Sequence, residues 1–279
     1  MPSATTGSFR LELEGQFVPV KSIEGGTAVG VVVSSPVIPS GASPFREKHL
    51  FGVDYEAVAI EASFGSARPL FEWIRAAWQG TPAAKNGSGI FVDANGGPIS
   101  RREFVKAVPI ETTVPKLDGA SSNAAYVTVR LTPELTRDVM PPTTIPAAGP
   151  APPASLSSNF RLSIGGLDCT KVSKIDSFTV KQQGKLVEFP NLRIELASAS
   201  AESWRTWFRS FVIDGNSSSA NEKTGHLSFL TPNMATALAT ISFHNLGIFR
   251  LENALAETSG AVMRVVAELY CERMELGIG

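Results

Sequence analysis

The sequence predicts a mainly β protein: a β-barrel or sandwich with one flanking α-helix per domain, present as two tandem domains. Three observations support this prediction. Both halves open with alternating apolar residues, both contain one tryptophan-bearing amphipathic helix, and a proline-rich segment separates them. Similar segments in the same order within one chain indicate an internal duplication.

The opening strands come first in each half. The stretches SFRLEL and NFRLSI alternate apolar and polar side chains, which is typical of a half-buried strand. A glycine follows each stretch, Gly15 or Gly166, and a second strand is predicted to end at Ile23 or Ile175. The apolar positions of the opening strands are Phe9, Leu11 and Leu13 in the first half and Phe160, Leu162 and Ile164 in the second.

A strand and then a single helix follow. AVAIEASF at residues 57–64 parallels NLRIELAS at residues 191–198, and each precedes a tryptophan-rich stretch. Spacings of three and four residues place the large apolar side chains on one helix face, so we expect each helix to cover the sheet of its own half. Ser66 is a predicted N-cap and Pro69 lies in the first turn. The predicted helix-to-sheet packing residues are Leu70, Trp73, Ile74, Trp204, Trp207, Phe208 and Phe211.

A hairpin and a long final strand complete each half. DANGG at residues 93–97 is a hairpin turn between two apolar segments, and LTPNMA occupies the corresponding place in the second half. The final strands also correspond, since Val127 and Leu131 align with Val265 and Leu269 without a gap.

The linker is the segment VMPPTTIPAAGPAPPASLSS at residues 139–158. Its six prolines lack backbone donors and fix φ, so we expect an exposed, semi-rigid spacer. The predicted organisation is a first domain at residues 1–138, the linker at 139–158 and a second domain at 159–279.

Composition limits the classes of function. The 25 basic and 26 acidic residues give a net charge of −1, which argues against a protein that grips nucleic acid through a large basic surface. Two cysteines are too few for a disulfide scaffold. The start of the chain does not resemble a signal peptide and no apolar run reaches membrane-spanning length, so we expect cytoplasmic synthesis and folding without membrane insertion.

The sequence offers little support for an enzyme. The three histidines, His49, His226 and His244, lie far apart and have no Cys or His partner at ligand spacing, so we expect no metal site. The glycine-rich segments lack the lysine of a phosphate loop, and Cys271 lies in an alternating strand pattern. We therefore expect no catalytic residue and no cofactor.

Strand edges suggest a different role. An antiparallel sheet covered by one helix leaves edges that must be closed or paired. Domains that pair edge to edge around an axis form a closed ring when the rotation closes. The pattern therefore permits, without requiring, a ring with an open lumen.

A family resemblance agrees with this possibility. The run REKHLFGVDYEAVAIEASFGSARPLFEWI resembles the central block of tail-tube proteins from contractile phages and contractile injection systems. Gly52, Tyr55, Phe71 and Trp73 occupy its marker positions. AVPIETTVPKLDGASSNAAYVTVRL resembles the closing block, with Val108-Pro109 and Leu117-Asp118 at the matching places. The second half repeats the closing block more loosely, with Gly247 at the place of Pro109 and with Leu255 and Ser259 keeping the pattern.

The resemblance implies two tandem tail-tube-like domains and a structural function. Family members form hexameric rings that stack into a tube, through which DNA or effector passes while a sheath contracts outside. The implied partners are further copies of the chain, the sheath protein, baseplate and tail-terminator proteins, and the cargo in the lumen. The implied location is a virion tail or injection-system particle assembled in the bacterial cytoplasm.

This chain departs from the family in having two domains where most members have one, which implies that three chains supply one pseudo-hexameric ring. The first half also has a long loop before its helix, whereas the second half has only a short hairpin around Gln183-Gly184. The resemblance implies that this loop contacts a neighbouring subunit or ring. The loop residues assigned to this contact are Phe45, Arg46, Lys48, Leu50 and Phe51.

Two alternatives remain open. Baseplate hub proteins of the same machine also resemble two fused tube domains, and a tube-initiator ring is a further possibility. From another class, the chain could be a tandem β-sandwich binding module, which would be a monomer in solution with an exposed pocket.

Overall fold

A computed structural model describes residues 7–34, 46–146, 155–254 and 263–279 of the chain. The described residues form antiparallel strands and two short α-helices, so the prediction of a mainly β fold with one helix in each half is confirmed. The strands of the first half are β1 (Ser8–Leu13), β2 (Gln16–Val20), β3 (Ser22–Gly25), β4 (Ala28–Ser34), β5 (Lys48–Tyr55), β6 (Val58–Ala62), β7 (Lys85–Val92), β8 (Pro98–Val114), β9 (Leu117–Asp118), β10 (Val127–Thr132) and β11 (Leu135–Val139). Those of the second half are β12 (Phe160–Ile164), β13 (Val172–Ile175), β14 (Phe178–Gln183), β15 (Leu186–Glu188), β16 (Leu192–Ala197), β17 (Lys223–Leu230), β18 (Ala237–Asn253) and β19 (Arg264–Ile278).

The sheet of the first half is strongly curled. Its strand order is β2-β1-β7-β8-β10-β6-β3, so β2 and β3 lie at opposite ends of the order. Only Lys21 separates these two strands along the chain, and its backbone N–H donates to Glu61 O at 2.8 Å. A flat sheet could not bring its two ends this close, so the sheet bends round on itself.

The second half repeats this order. Its strands run β12-β17-β18-β19-β16-β13, and β9 of the first half is added beyond β13. The long strands also share an irregularity: the backbone has positive φ at Lys106 of β8 (48°) and at Asn245 of β18 (55°). Lys106 lies at a β-bulge in the pairing of β8 with β7, and Asn245 lies at a β-bulge in the pairing of β18 with β17.

The first helix, α1 (Arg68–Trp78), begins one residue later than a Ser66 N-cap would place it. Ala67 occupies the N-cap position without a side-chain hydrogen bond, and the Ser66 hydroxyl donates instead to Ser63 O at 3.1 Å. The prediction for Ser66 was therefore wrong, because its hydroxyl is used in the preceding turn. Pro69 does lie in the first turn, where its missing N–H costs nothing.

The second helix has two parts. The α-helix α2 (Glu202–Phe208) continues as one π-helical turn at Arg209–Ile213. The wider turn keeps Phe211 in the core, at 5.9 Å from the Trp207 ring, while Phe208 is only half-buried.

The remaining helix residues singled out from the sequence are buried. They are Leu70, Trp73, Ile74, Trp204 and Trp207.

One apolar core extends through both halves. Helix α1 contacts β2 and β8 of its own half and also β19 of the second half, so it does not serve one sheet alone. Near its start, the rings of Phe64 and Phe229 are 4.6 Å apart across the two halves. The expectation that each helix covers only its own sheet was wrong for α1, because apolar residues of β19 complete its cover.

The last residues of the proline-rich segment are also not exposed. Ser155 and Ser157 are buried, and their backbone groups pair with Ala125 and Asn123 of the first half. Residues 147–154 lie outside the described ranges.

Candidate assembly interface

The two halves are joined by strand pairing, which we call the internal junction. Strand β14 of the second half pairs antiparallel with the end of β8. Beside it, β13 pairs with β9. The opposed residues of β14 and β8 are Phe178↔Val114, Thr179↔Thr113, Val180↔Thr112 and Lys181↔Glu111. The second half thus adds a strand to an edge of the first.

Side chains stabilise this pairing on both faces of the sheet. On one face Phe178 and Val180 are buried in the core. On the other, the hydroxyls of Thr113 and Thr179 are 2.9 Å apart. The Ser177 hydroxyl donates to Val114 O at 2.8 Å, which satisfies a backbone acceptor at the end of the pairing.

The hairpin formed by β14 and β15 also covers the C-terminal end of α1. The ring of Phe189, just after β15, meets Trp78 edge-on at 6.2 Å. The Gln182 amide donates to Ala77 O at 2.9 Å, so a side chain of the second half reaches a carbonyl of the last turn of the first-half helix. This carbonyl also accepts from the Gly80 N–H at 2.9 Å, so the Gln182 amide adds a second partner at the end of the helix.

We expect Gln182→Ala to lower the free energy of unfolding by about 1–2 kcal/mol, because it removes a buried hydrogen bond across the internal junction. The matched control is Gln183→Ala, since Gln183 is the adjacent, exposed residue of the same strand. Urea denaturation of both variants measures the difference. Equal small effects for the two variants would show that the contact with Ala77 does not stabilise the fold.

No sequence motif marks Thr113, Thr179 or Gln182 as junction residues. The run FTVKQQ does alternate between buried and exposed residues, as an inner strand should. The strand that pairs with β14 could not be predicted from the sequence, because β8 lies over sixty residues away along the chain.

The loop predicted to contact a neighbour is largely a two-stranded ribbon. Strands β4 and β5 pair with each other, and we call this pair the ribbon. Lys48, Leu50 and Phe51 lie on β5, Arg46 just precedes it, and all are exposed; Phe45 lies outside the described residues. Leu50 is 70% and Phe51 79% exposed, an unusual position for large apolar side chains. These residues therefore form a strand in place of the predicted loop, and their contact with a neighbour stays a prediction.

The ribbon has the same register as the β14–β15 hairpin at its base. The pairs Val29↔Asp54, Gly30↔Val53 and Val31↔Gly52 correspond to three pairs of the shorter hairpin. Those pairs are Lys181↔Glu188, Gln182↔Val187 and Gln183↔Leu186. The short hairpin then turns at Gly184, whereas the ribbon continues through a bulge.

A polar cluster holds the corner where β3 leads into the ribbon. Arg102 donates to Gly25 O at 2.8 Å and to both carboxylate oxygens of Asp138, at 2.7 and 2.9 Å. The Thr136 hydroxyl donates to Gly26 O. The hydrogen bond from Arg102 lowers the pKa of the Asp138 carboxyl, so this pair is charged at neutral pH. These contacts within the chain fix the start of β4.

Two exposed edges correspond to the two sides of the internal junction. Within the described ranges, β4 pairs only with β5, and residues 250–253 of β18 pair only with β19. Apolar side chains are exposed beside both edges. On the first-half side they are Val29, Val31 and Val53 of the ribbon, and on the second-half side Val212, Ile213, Phe249 and Met263.

The described residues offer little support for a metal site, a reactive cysteine or a membrane-spanning helix. No group of three His, Cys, Asp or Glu side chains there could hold a metal ion. Burial raises the pKa of the Cys271 thiol to about 11, and the thiol donates to Arg273 O at 3.2 Å, so it is protonated at neutral pH. None of the helices in these ranges combines the length and apolarity needed to cross a membrane.

No family model matches the sequence, and the comparison with curated proteins gives no match. Among solved structures, a chain of the anti-feeding prophage baseplate is similar over 50% of this chain and 96% of that chain, with 15% identity and a TM-score of 0.40. A chain of the extended sheath–tube complex of the extracellular contractile injection system PVC is similar over 48% and 89%, with 14% identity and a TM-score of 0.41. Hcp1 from Flavobacterium johnsoniae is similar over 47% and 94%, with 18% identity and a TM-score of 0.32. Because these TM-scores lie below 0.5, we base the functional inference on the chain itself.

Proposed function

We propose that this chain is a non-catalytic structural subunit of the inner tube of a contractile phage tail or injection system. Three copies form a pseudo-hexameric ring of six similar units, and the rings stack into a hollow conduit for DNA or effector. Its partners are further copies of itself, the surrounding sheath, the baseplate and tail-terminator proteins, and the cargo in the lumen.

The observation that supports this proposal best is the edge-to-edge internal junction. Two units of similar strand order are already joined through β8 and β14. In the described residues the corresponding outer edges, on β4 and at the end of β18, have no strand partner beyond their own sheet. An interface between unlike edges is heterologous, and repeating it produces a closed ring or an open filament. The two units are therefore inferred to be duplicates, with residues 139–158 connecting them.

The sequence resemblance supports the choice of machine. The blocks around Tyr55 and Trp73 resemble the tail-tube family, and the departure from that family is the fusion of two units. A ring of three such chains would have the ribbon on alternate units, because the second half has only the short hairpin in its place.

Electron microscopy of the purified full chain at increasing concentration tests the proposal. We expect rings with three-fold symmetry that stack end to end. Single chains that stay monodisperse at high concentration would contradict the proposal and favour a tandem binding module. Rings that form but never stack would favour a hub or initiator ring over the tube itself. Equal density at all six ribbon positions would contradict three chains per ring.

A further inference from the structure

We propose that the contact between two copies of this chain repeats the internal junction, with the ribbon of one copy added to the end of β18 of the next. The occupant of both exposed edges is thus a second copy, bound head to tail. This inference rests on the self-assembly in the proposed function and adds to it a defined register.

The strand pairing gives a residue-by-residue correspondence between the halves. In the first half, Ile23 pairs with Ile60, Ile60 with Val129, and Val129 with Thr112. The second half has the same row of four across β13, β16, β19 and β18: Ile175, Ile194, Ala267 and Leu251. Thr112 therefore corresponds to Leu251, and Thr113 to Glu252.

The same correspondence identifies the residues on the other side of the contact. Val180 lies five residues after Ile175, as Ala28 lies five residues after Ile23. In the internal junction Val180 is opposite Thr112, and Thr179 is opposite Thr113. Transferred to two copies, this places Ala28 opposite Leu251 and Thr27 opposite Glu252.

The contact between the β14–β15 hairpin and the end of α1 also has a counterpart between two copies. Leu192 at the start of β16 corresponds to Val58 at the start of β6. Phe189 lies three residues before Leu192, and Tyr55 lies three residues before Val58, so Phe189 corresponds to Tyr55. Trp78 lies five residues after Trp73, as Val212 lies five residues after Trp207. The edge-on contact of Phe189 with Trp78 therefore predicts that Tyr55 of one copy covers Val212 of the next.

The exposure of apolar side chains on the two open sides agrees with this register. Val212 and Ile213 at the end of the second helix are 39% and 68% exposed, whereas Trp78 at the corresponding end of α1 is buried beneath the β14–β15 hairpin. On the ribbon base, Ala28 is exposed, whereas its counterpart Val180 in the short hairpin is buried. Val53 is 56% exposed, whereas its counterpart Val187 is half-buried. The apolar side chains that a junction would cover are thus the ones exposed on the two open sides.

Charge is compatible with the same register. Arg250 would lie opposite Val29 and would keep its ion pairs with Glu252, at 2.7 Å, and Glu268, at 3.3 Å. Its aliphatic stem can cover Val29 while the guanidinium stays in water. Arg250 would therefore not be buried as an unpaired charge.

Cysteine cross-linking of the full chain tests the register. In the internal junction the Thr113 and Thr179 hydroxyls are 2.9 Å apart, so cysteines at these positions should form a disulfide within one chain and serve as the positive control. The test variant has Thr27→Cys and Glu252→Cys. The mismatched control has Thr27→Cys and Leu251→Cys, whose side chains would lie on opposite faces of the sheet.

After oxidation we expect covalent dimers and trimers from the test variant, with at least about tenfold more product than from the mismatched control or from either single variant. Rings seen by electron microscopy without this cross-link, or with equal cross-linking of the mismatched control, would overturn the register and leave the proposed function standing. Single chains without rings or cross-links would overturn both.

Discussion

Replacing Trp204 with alanine is expected to lower the free energy of unfolding by about 3–5 kcal/mol, because a large aromatic side chain is lost from the core. The side chain is fully buried, and its indole N–H donates to Asp168 O at 2.9 Å. Truncation removes the apolar contacts of the indole, leaves a cavity and releases the loop before β13. Denaturant unfolding followed by the fluorescence of the three remaining tryptophans and by circular dichroism measures the loss.

Ile213→Ala is the matched control, because Ile213 lies at the end of the same helical segment and is 68% exposed. We expect it to change the stability of the single chain by less than about 0.5 kcal/mol. Similar losses for both variants would mean that the second helix contributes little to the core. Ile213→Ala should nevertheless weaken ring formation, since its side chain lies on the surface proposed to meet the ribbon.

Gly25→Ala is expected to have the next largest effect, a loss of about 3–4 kcal/mol. Gly25 has φ of 82°, and a Cβ there would lie 2.2 Å from Ala57 O. Relief of this contact requires movement of β3 away from β6 or of Gly26 away from Thr136. The start of β4 would then shift, and we expect ring formation to fall even under conditions where the chain stays folded.

Gly15→Ala separates the cost of the positive φ from the cost of the close contact between the added Cβ and Ala57 O. Gly15 has the same φ of 82°, but a Cβ there would meet nothing within 4 Å. It should cost only the conformational strain, about 1–2 kcal/mol. Thermal unfolding measures stability, and sedimentation velocity measures assembly for both variants. Equal stability of the two variants would show that the close contact with Ala57 O adds no cost. It would contradict the expected shift at the start of β4.

The local elements of this fold could be predicted from the sequence because their signals are local. Alternation at Leu11 and Leu13, or at Leu162 and Ile164, reports which face of a strand meets the core. Helical spacing likewise identified Trp73 and Trp207 as buried residues. These patterns depend only on neighbours a few positions away.

Features that depend on distant residues could not be predicted in the same way. Helix α1 packs on β19, about two hundred residues later, and no periodicity within the helix distinguishes that surface from its own sheet. The candidate interface was predicted only as a loop around Leu50 and Phe51 that contacts a neighbouring subunit or ring, and not as a paired strand, because alternation is weak in AVGVVVS and KHLFGVDY. The pairing of β14 with β8, which forms the internal junction, likewise has no signal in the local sequence.

The joining of the two halves through β8 and β14 within one chain also changes how a ring would be built. Six separate units must meet in solution, and each association loses translational and rotational freedom worth about 4–15 kcal/mol. In a fused chain, half of the contacts form as the polypeptide folds, since the tether holds both edges at a high effective concentration. A ring of this chain would therefore require three bodies to meet in place of six, and the concentration threshold for nucleation should be correspondingly lower.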